Sequence, residues 1–356
     1  MTKGTDMDIQ DQLKQFKGKR VLLLAPQFFH YIDEIRDAMK AAEIDCDFLD
    51  ERPLPGFTGK AIARYLPMIN ERQVAKNVDD QLTAKSYDYL LVIKGESLST
   101  KLLADFKQEN PNAKLVLFLW DSVANSKHAE AFFDQFDMVY TFDANDAATY
   151  KIEFLPLFVG SQFDPRLIDQ DQQQDIDLAF IGTVHSNRSE LLNLVEKLAA
   201  SAHLSFYDFR YVQSKLVYAV RYLQDRAFRK SPAGTVHFNK ISAEAMLKTL
   251  RRTRTIVDVT HPKQTGLTGR VIEGLSMGRK VLTTNSKVLD YDFINKENVQ
   301  IFDEKLTNLD EDFIMKPYVG DPLMVYKNFS VYKWLETVLT GTAYVPVDHR
   351  SVVEKD

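Results

Sequence analysis

The feature that most constrains this chain is an alternation. Short apolar runs of strand length, closed by proline, glycine or polar turns, recur between stretches of helical periodicity. In the first half the strand-like runs fall at residues 21–25, 44–49, 89–93, 115–120, 138–142 and 154–159, with helical stretches at 35–42 and near 60–85, 99–109, 128–136 and 144–151. Strands and helices in strict succession predict a parallel sheet wrapped by helices, with any ligand at the carboxyl ends of the strands. A polar tract of aspartate and glutamine at 169–175 breaks the pattern. The alternation then restarts, with strands at 178–181, 204–209 and 256–259 and helices at 189–202 and 213–230. The chain therefore reads as two α/β domains in tandem, 1–160 and 176–340, joined by a connector at 161–175 and followed by a tail at 341–356.

At 356 residues the chain has room for two such cores. The apolar share of 45% and charged share of 27% are those of a soluble globular protein, and nothing in them suggests disorder over long stretches. No apolar run approaches the length of a membrane span. Residues 1–10 are polar and acidic, without the apolar stretch of a signal peptide. With a single cysteine, Cys46, an intramolecular disulfide is impossible, and a cytoplasmic setting is expected. The net charge of −5 hides a contrast, since residues 1–160 carry 19 basic and 25 acidic side chains, whereas 178–289 carry 18 and 7. A basic domain beside an acidic one draws an anionic ligand, or is simply a solvated basic surface.

The densest chemistry lies at 258–285, which reads as strand, glycine-bearing turn, short helix and strand. Gly266 and Gly269 let the backbone approach a ligand at a helix start, where free N–H groups and the positive end of the dipole favour an anion. Leu267 and Thr268 complete that turn. Arg270 adds a two-pronged phosphate donor. Glu273, three residues on and on the same face, can accept hydrogen bonds from two ribose hydroxyls. Diphosphate and ribose together describe a nucleotide sugar; the competing reading of Arg270 and Glu273 is an ordinary i,i+3 salt bridge.

This pattern resembles the donor-binding half of GT-B glycosyltransferases, especially the CgeB-like group, related to the group 1-like glycosyltransferases of bacterial surface-polysaccharide clusters. It is carried by Gln264, Gly266, Leu267, Arg270, Glu273, Gly274, Gly278 and the strand ending in Thr283, Thr284 and Asn285, and by the run from Phe180 to Arg188 that includes Gly182 and His185. The chain departs from it at Gly266, where many such sites place an acidic residue seven positions before the glutamate. The resemblance implies two Rossmann-like domains facing a central cleft, a nucleotide-sugar donor in the second, and an apolar helix near 331–339 that crosses back toward the first.

For the chemistry, Arg270, the amides of 266–269, His185 and Arg188 are expected to face the leaving diphosphate, where charge grows as the bond breaks. His185 is otherwise an ordinary surface histidine. As base for the acceptor hydroxyl, the first domain offers His30, Glu96 and Asp121, each just after a strand. Asp121 is preferred on the resemblance of its Trp-Asp pair, with a helix N-cap as its rival role, and His30 is the second choice. No histidine pair has zinc-ligand spacing, so neither metal nor other cofactor is expected, protein cations serving instead.

The expected activity is transfer of a sugar from a nucleotide donor to a cell-surface glycan or lipid-linked acceptor. The alternatives are a non-catalytic nucleotide-sugar-binding partner subunit and a GT-B-shaped epimerase. The basic amphipathic segment 210–230 either rests on an anionic membrane, giving peripheral contact at its inner face, or packs its apolar face on the second sheet. Nucleic acid is not an expected partner, because the chain is acidic overall and holds no recognisable module.

Overall fold

Leucine and valine runs that are buried on both faces can only be central strands of a covered sheet. Arg20–Ala25 (β1), Tyr89–Ile93 (β3) and Lys114–Leu119 (β4) are of this kind, each with five buried positions. The computed structural model describes residues 9–27, 31–52, 67–169, 172–184, 187–261 and 265–346. They form two units, one comprising residues up to Ser161 together with Phe329–Pro346, the other Gln162–Asn328. In the first unit, Asp45–Asp50 (β2), Met138–Thr141 (β5) and Glu153–Phe154 (β6) complete a six-stranded sheet of order β2-β1-β3-β4-β5-β6. Every pairing is parallel.

The sixth strand is shorter than the apolar run 154–159 suggests. Pro156 has no N–H to give a ladder, and pairing resumes only at Val159, which bridges Ser330. That bridge leads into the helix Val331–Thr340, which the sequence-based ranges count with the second domain and which belongs to the first unit. Trp334 lies 5.0 Å from Phe118 and 5.1 Å from Phe158, ring centre to ring centre. The Tyr140 hydroxyl donates to the carbonyls of Thr337 and Thr342 at 3.1 and 2.7 Å.

In the second unit Ile176–Thr183 (β7), Phe206–Tyr211 (β8), Val236–His237 (β9), Thr253–Asp258 (β10), Lys280–Thr283 (β11) and Val299–Ile301 (β12) form another six-stranded sheet. Its order is β12-β11-β10-β7-β8-β9, again parallel throughout. This is the doubly wound order of nucleotide-binding folds, in which strand order reverses between β7 and β10. The sequence did not disclose β9, β12 or the helix Ala243–Arg251. Two Rossmann-like domains of this construction are the GT-B fold. Among the described residues no helix is long and apolar enough to cross a membrane.

Two local outcomes differ from the simple reading of 210–230. The long helix is two, Lys215–Gln224 and Arg226–Arg229, because Asp225 is extended and its carboxylate accepts from the amides of Ala227 and Phe228. A side chain that captures amides in this way ends one helix and begins another. Arg210 is not part of any basic surface. It is wholly buried on β8, ion-paired to Asp208 at 2.7 Å, with Nη1 donating to Asn193 and Ser231.

Candidate active site

The second unit brings the residues of the 258–285 motif together around one carboxylate. Asp258 ends β10, is nearly buried, and accepts three hydroxyl hydrogen bonds: Oδ2 from Thr260 and Thr283, Oδ1 from Thr268, each at 2.8 Å. It thereby ties together the ends of two strands and the start of the next helix. Thr268 caps that helix, Gly269–Ser276. Asn285 completes the brace, donating to the carbonyls of Thr265 and Gly266 at 3.1 Å. The turn carrying Gly266 and Leu267, both buried, is thus held from two sides.

Close packing follows from the helix composition. A Cβ on Gly274 would stand 2.6 Å from Ile256 Cδ1, so only glycine lets the helix lie this near β10. Gly278, at φ +70°, ends the turn that reverses the chain into β11. On this helix Arg270 Nη1 donates to Glu273 Oε2 at 2.5 Å and Nη2 to the Met246 sulfur at 2.9 Å. Glu273 is 1% exposed and Arg270 18% at the side chain. The i,i+3 pair weighed at the sequence level therefore exists, and it holds the two groups side by side at the helix start.

Arg188 and Gly182 occupy the switch point of the sheet. Arg188 Nε donates to Val259 O at 2.6 Å and Nη1 to Thr183 O at 2.7 Å, so the guanidinium clasps the ends of β7 and β10. Burial pulls its pKa below the ordinary arginine value, against the opposing charge of Asp258. A Cβ on Gly182 would meet the Phe180 ring at 2.8 Å. His185 lies outside the described residues, as does Gln264. Asp258 was the member of this group to which sequence reasoning gave no role, although an aspartate closing an apolar strand among threonines is the available signal.

A second cluster stands at the strand ends of the first unit. Lys94 and Gly95 both follow β3 with left-handed backbones, φ +81° and +73°. For lysine that conformation carries strain of about 1 kcal/mol, and such strain gathers at functional sites. Lys94 Nζ reaches Glu96 at 2.8 Å and Asp121 at 2.9 Å, and Arg52 grips Glu96 through two bonds of 2.7 Å. Burial alone would lower the Lys94 ammonium, but the two carboxylates, Asp121 first, raise it. Asp121 is 43% exposed at the side chain and pairs with Lys94. The Val123 amide that an Asp121 cap would have bonded is taken by Asp146. Trp120 beside it packs on Tyr31 and Phe158. His30 lies outside the described residues. Among the described residues no group of three or more His, Cys, Asp or Glu is placed to hold a metal ion.

Beneath this cluster Glu51 is fully buried, with Oε1 accepting from the Ser97 amide and hydroxyl at 3.0 Å and Oε2 without a partner. Burial pushes its carboxyl up to about 7, against the hydrogen bonds from Ser97 and the amide of Glu96. The folded chain then binds this proton more tightly than the unfolded one. The associated stability is complete below the ordinary glutamate pKa and is lost as pH rises through about 7. Between about pH 5 and pH 8 the wild type is expected to lose roughly 2–3 kcal/mol relative to Glu51→Gln, which has no such proton. Melting curves of the two proteins across that range test this, and parallel pH profiles would refute it.

No protein-family model matches the chain, and no curated protein matches it in sequence. Solved structures do match in fold. An alpha-glucosyltransferase in complex with UDP and a mismatched DNA 13-mer superposes with a TM-score of 0.50 at 12% identity, over 91% of this chain and 96% of that one. A protein of Anabaena, HepE, in complex with UDP and glucose gives 0.53 at 10% identity, over 90% and 98%. The sucrose-phosphate synthase of Thermosynechococcus elongatus gives 0.55 at 11% identity, over 90% and 94%.

Proposed function

We propose that this chain is a glycosyltransferase that moves a sugar from a nucleotide-sugar donor to a glycan or lipid-linked acceptor without a metal, in the manner of the CgeB-like group. The observation that carries this reading is the braced turn at the end of β10. Asp258 and Asn285 fix the backbone of 265–268 ahead of a helix whose first turn bears Arg270 and whose next bears the buried Glu273. Amides at a helix start and a guanidinium favour a diphosphate, and a buried carboxylate favours a pair of ribose hydroxyls. GT-B structures that hold UDP supply the fold-level support.

In the reaction the bond between the anomeric carbon and the donor phosphate oxygen breaks, and the electron pair stays on the diphosphate. Arg270 and the amides of 266–269 stabilise the charge that develops there. The acceptor hydroxyl oxygen forms the new bond to the anomeric carbon as its proton passes to a base. Asp121 is the assigned base, an exposed carboxylate kept beside Lys94, with His30 the alternative. Gly182 and Arg188 border the donor, with Arg188 fixing the strand ends more than touching phosphate, and His185 is the further candidate for the diphosphate.

The test is thermal stabilisation by UDP, GDP, CDP, CMP and dTDP, with and without magnesium. UDP comes first because two of the similar structures carry it. One nucleoside diphosphate at about a hundred times its Kd is expected to stabilise the second unit by roughly 2.7 kcal/mol, magnesium or not. No shift with any of them would remove the donor site. Turnover of a sugar nucleotide without acceptor would instead indicate an epimerase.

A further inference from the structure

The helix Lys215–Gln224 has two apolar faces and the protein covers only one. Val217 and Tyr218 pack against the small core of Val184, Val212 and Phe228. Leu216, Ala219, Val220 and Leu223 recur at i, i+3, i+4 and i+7 and form a stripe on the other side. Leu216 is 75% exposed, Leu223 77% and Val220 43%, and the helix has no fully buried residue. Leu216 and Val220 line an open groove of about 1220 Å³ that runs to Asn193 and Ala227, with Glu190 as a rim carboxylate.

The surroundings of the stripe are cationic. Residues 211–231 contain five basic side chains, Lys215, Arg221, Arg226, Arg229 and Lys230, against one carboxylate, Asp225, which is engaged in capping the second helix. Among the described residues none of the five has an ion-pair partner. Arg229 Nη1 instead donates to the carbonyls of Tyr222 and Leu223, closing the first helix and keeping a positive charge beside its exposed leucine. Exposed leucines on one short amphipathic helix, flanked by unpaired cations on that helix and on the one that follows, match the boundary of an anionic bilayer. Apolar side chains there enter the acyl region while the cations meet phosphate headgroups.

We infer that the face formed by Leu216, Val220 and Leu223 with Lys215, Arg226, Arg229 and Lys230 docks on an anionic membrane surface. The inference is independent of the donor-site reading and stands or falls without nucleotide. Flotation of the full chain with vesicles of phosphatidylcholine alone, or with about one third phosphatidylglycerol, is the measurement. Binding is expected only to the anionic vesicles, and to weaken on raising salt well above about 0.1 M. Leu216→Ser/Leu223→Ser and, separately, Arg226→Gln/Arg229→Gln/Lys230→Gln are each expected to reduce it at least about tenfold while melting like the wild type. The inference is overturned if the wild type does not float with anionic vesicles, or if both variants float as it does. It is also overturned if the wild type is a dimer that the serine variant converts to monomers, which would make a second copy the cover of the stripe.

Discussion

Glu273→Ala is expected to weaken binding of the nucleoside diphosphate that stabilises this chain by about 100-fold, close to 2.7 kcal/mol. The size follows from the setting. Glu273 is 1% exposed, so water cannot replace it as acceptor for a ribose, and both hydroxyls would enter the site without partners. Glu273→Gln keeps one carbonyl oxygen and should fall between the two. Arg270→Ala removes a cation from the diphosphate and should lower affinity less than Glu273→Ala, because the helix-start amides remain. Calorimetric titration of the three variants, each shown to melt cooperatively, measures this. Wild-type affinity in Glu273→Ala would show that the pair is only a helix salt bridge and that the nucleotide, if bound, sits elsewhere.

Arg210→Met is expected to destabilise the second unit by about 3–5 kcal/mol, since it abandons Asp208 as a charge with no counter-ion in a buried strand. Burial already pushes the Asp208 carboxyl up, with Arg210 as the opposing influence. The informative comparison is the double variant Arg210→Met/Asp208→Leu. If desolvation of the pair nearly balances its attraction, the double variant should recover most of the loss. A double variant as unstable as the single one would show that the bonds of Arg210 to Asn193 and Ser231, at 2.7 and 2.8 Å, matter more than the ion pair. Chemical denaturation at neutral pH gives all three values.

These two sites also mark how far the sequence could be read. The central strands were legible because burial on both faces forces nearly unbroken apolar runs, as at Leu115–Leu119 within β4. The short edge strands β9 and β12 were not, because two or three residues carry no period. The break at Asp225 depends on one side chain reaching two amides, a competition that helical periodicity does not display. In the donor motif the glycines, Arg270 and Glu273 were visible at their spacing. The hub was not, because Asp258 acts through Thr260, Thr268 and Thr283, up to 25 positions distant. Arg188 looked like a phosphate donor from its place after Gly182, and only the fold reveals two carbonyls within its reach. The Lys94 to Asp121 contact joins the ends of neighbouring strands, and Glu51 became conspicuous only once its burial was known.

The helix Val331–Thr340 gives the chain an order of assembly. It supplies Trp334 to the ring cluster on Phe118 and Phe158 and is fastened by the Tyr140 hydroxyl, so the first unit closes its core with residues that follow the second unit in the chain. During synthesis the second unit, whose stretch Gln162–Asn328 is continuous, emerges whole before that helix does. The N-terminal sheet therefore emerges from the ribosome with Trp120 against Phe118 and Phe158 but without Trp334, which arrives only after its neighbour. In this protein the half that begins first finishes second.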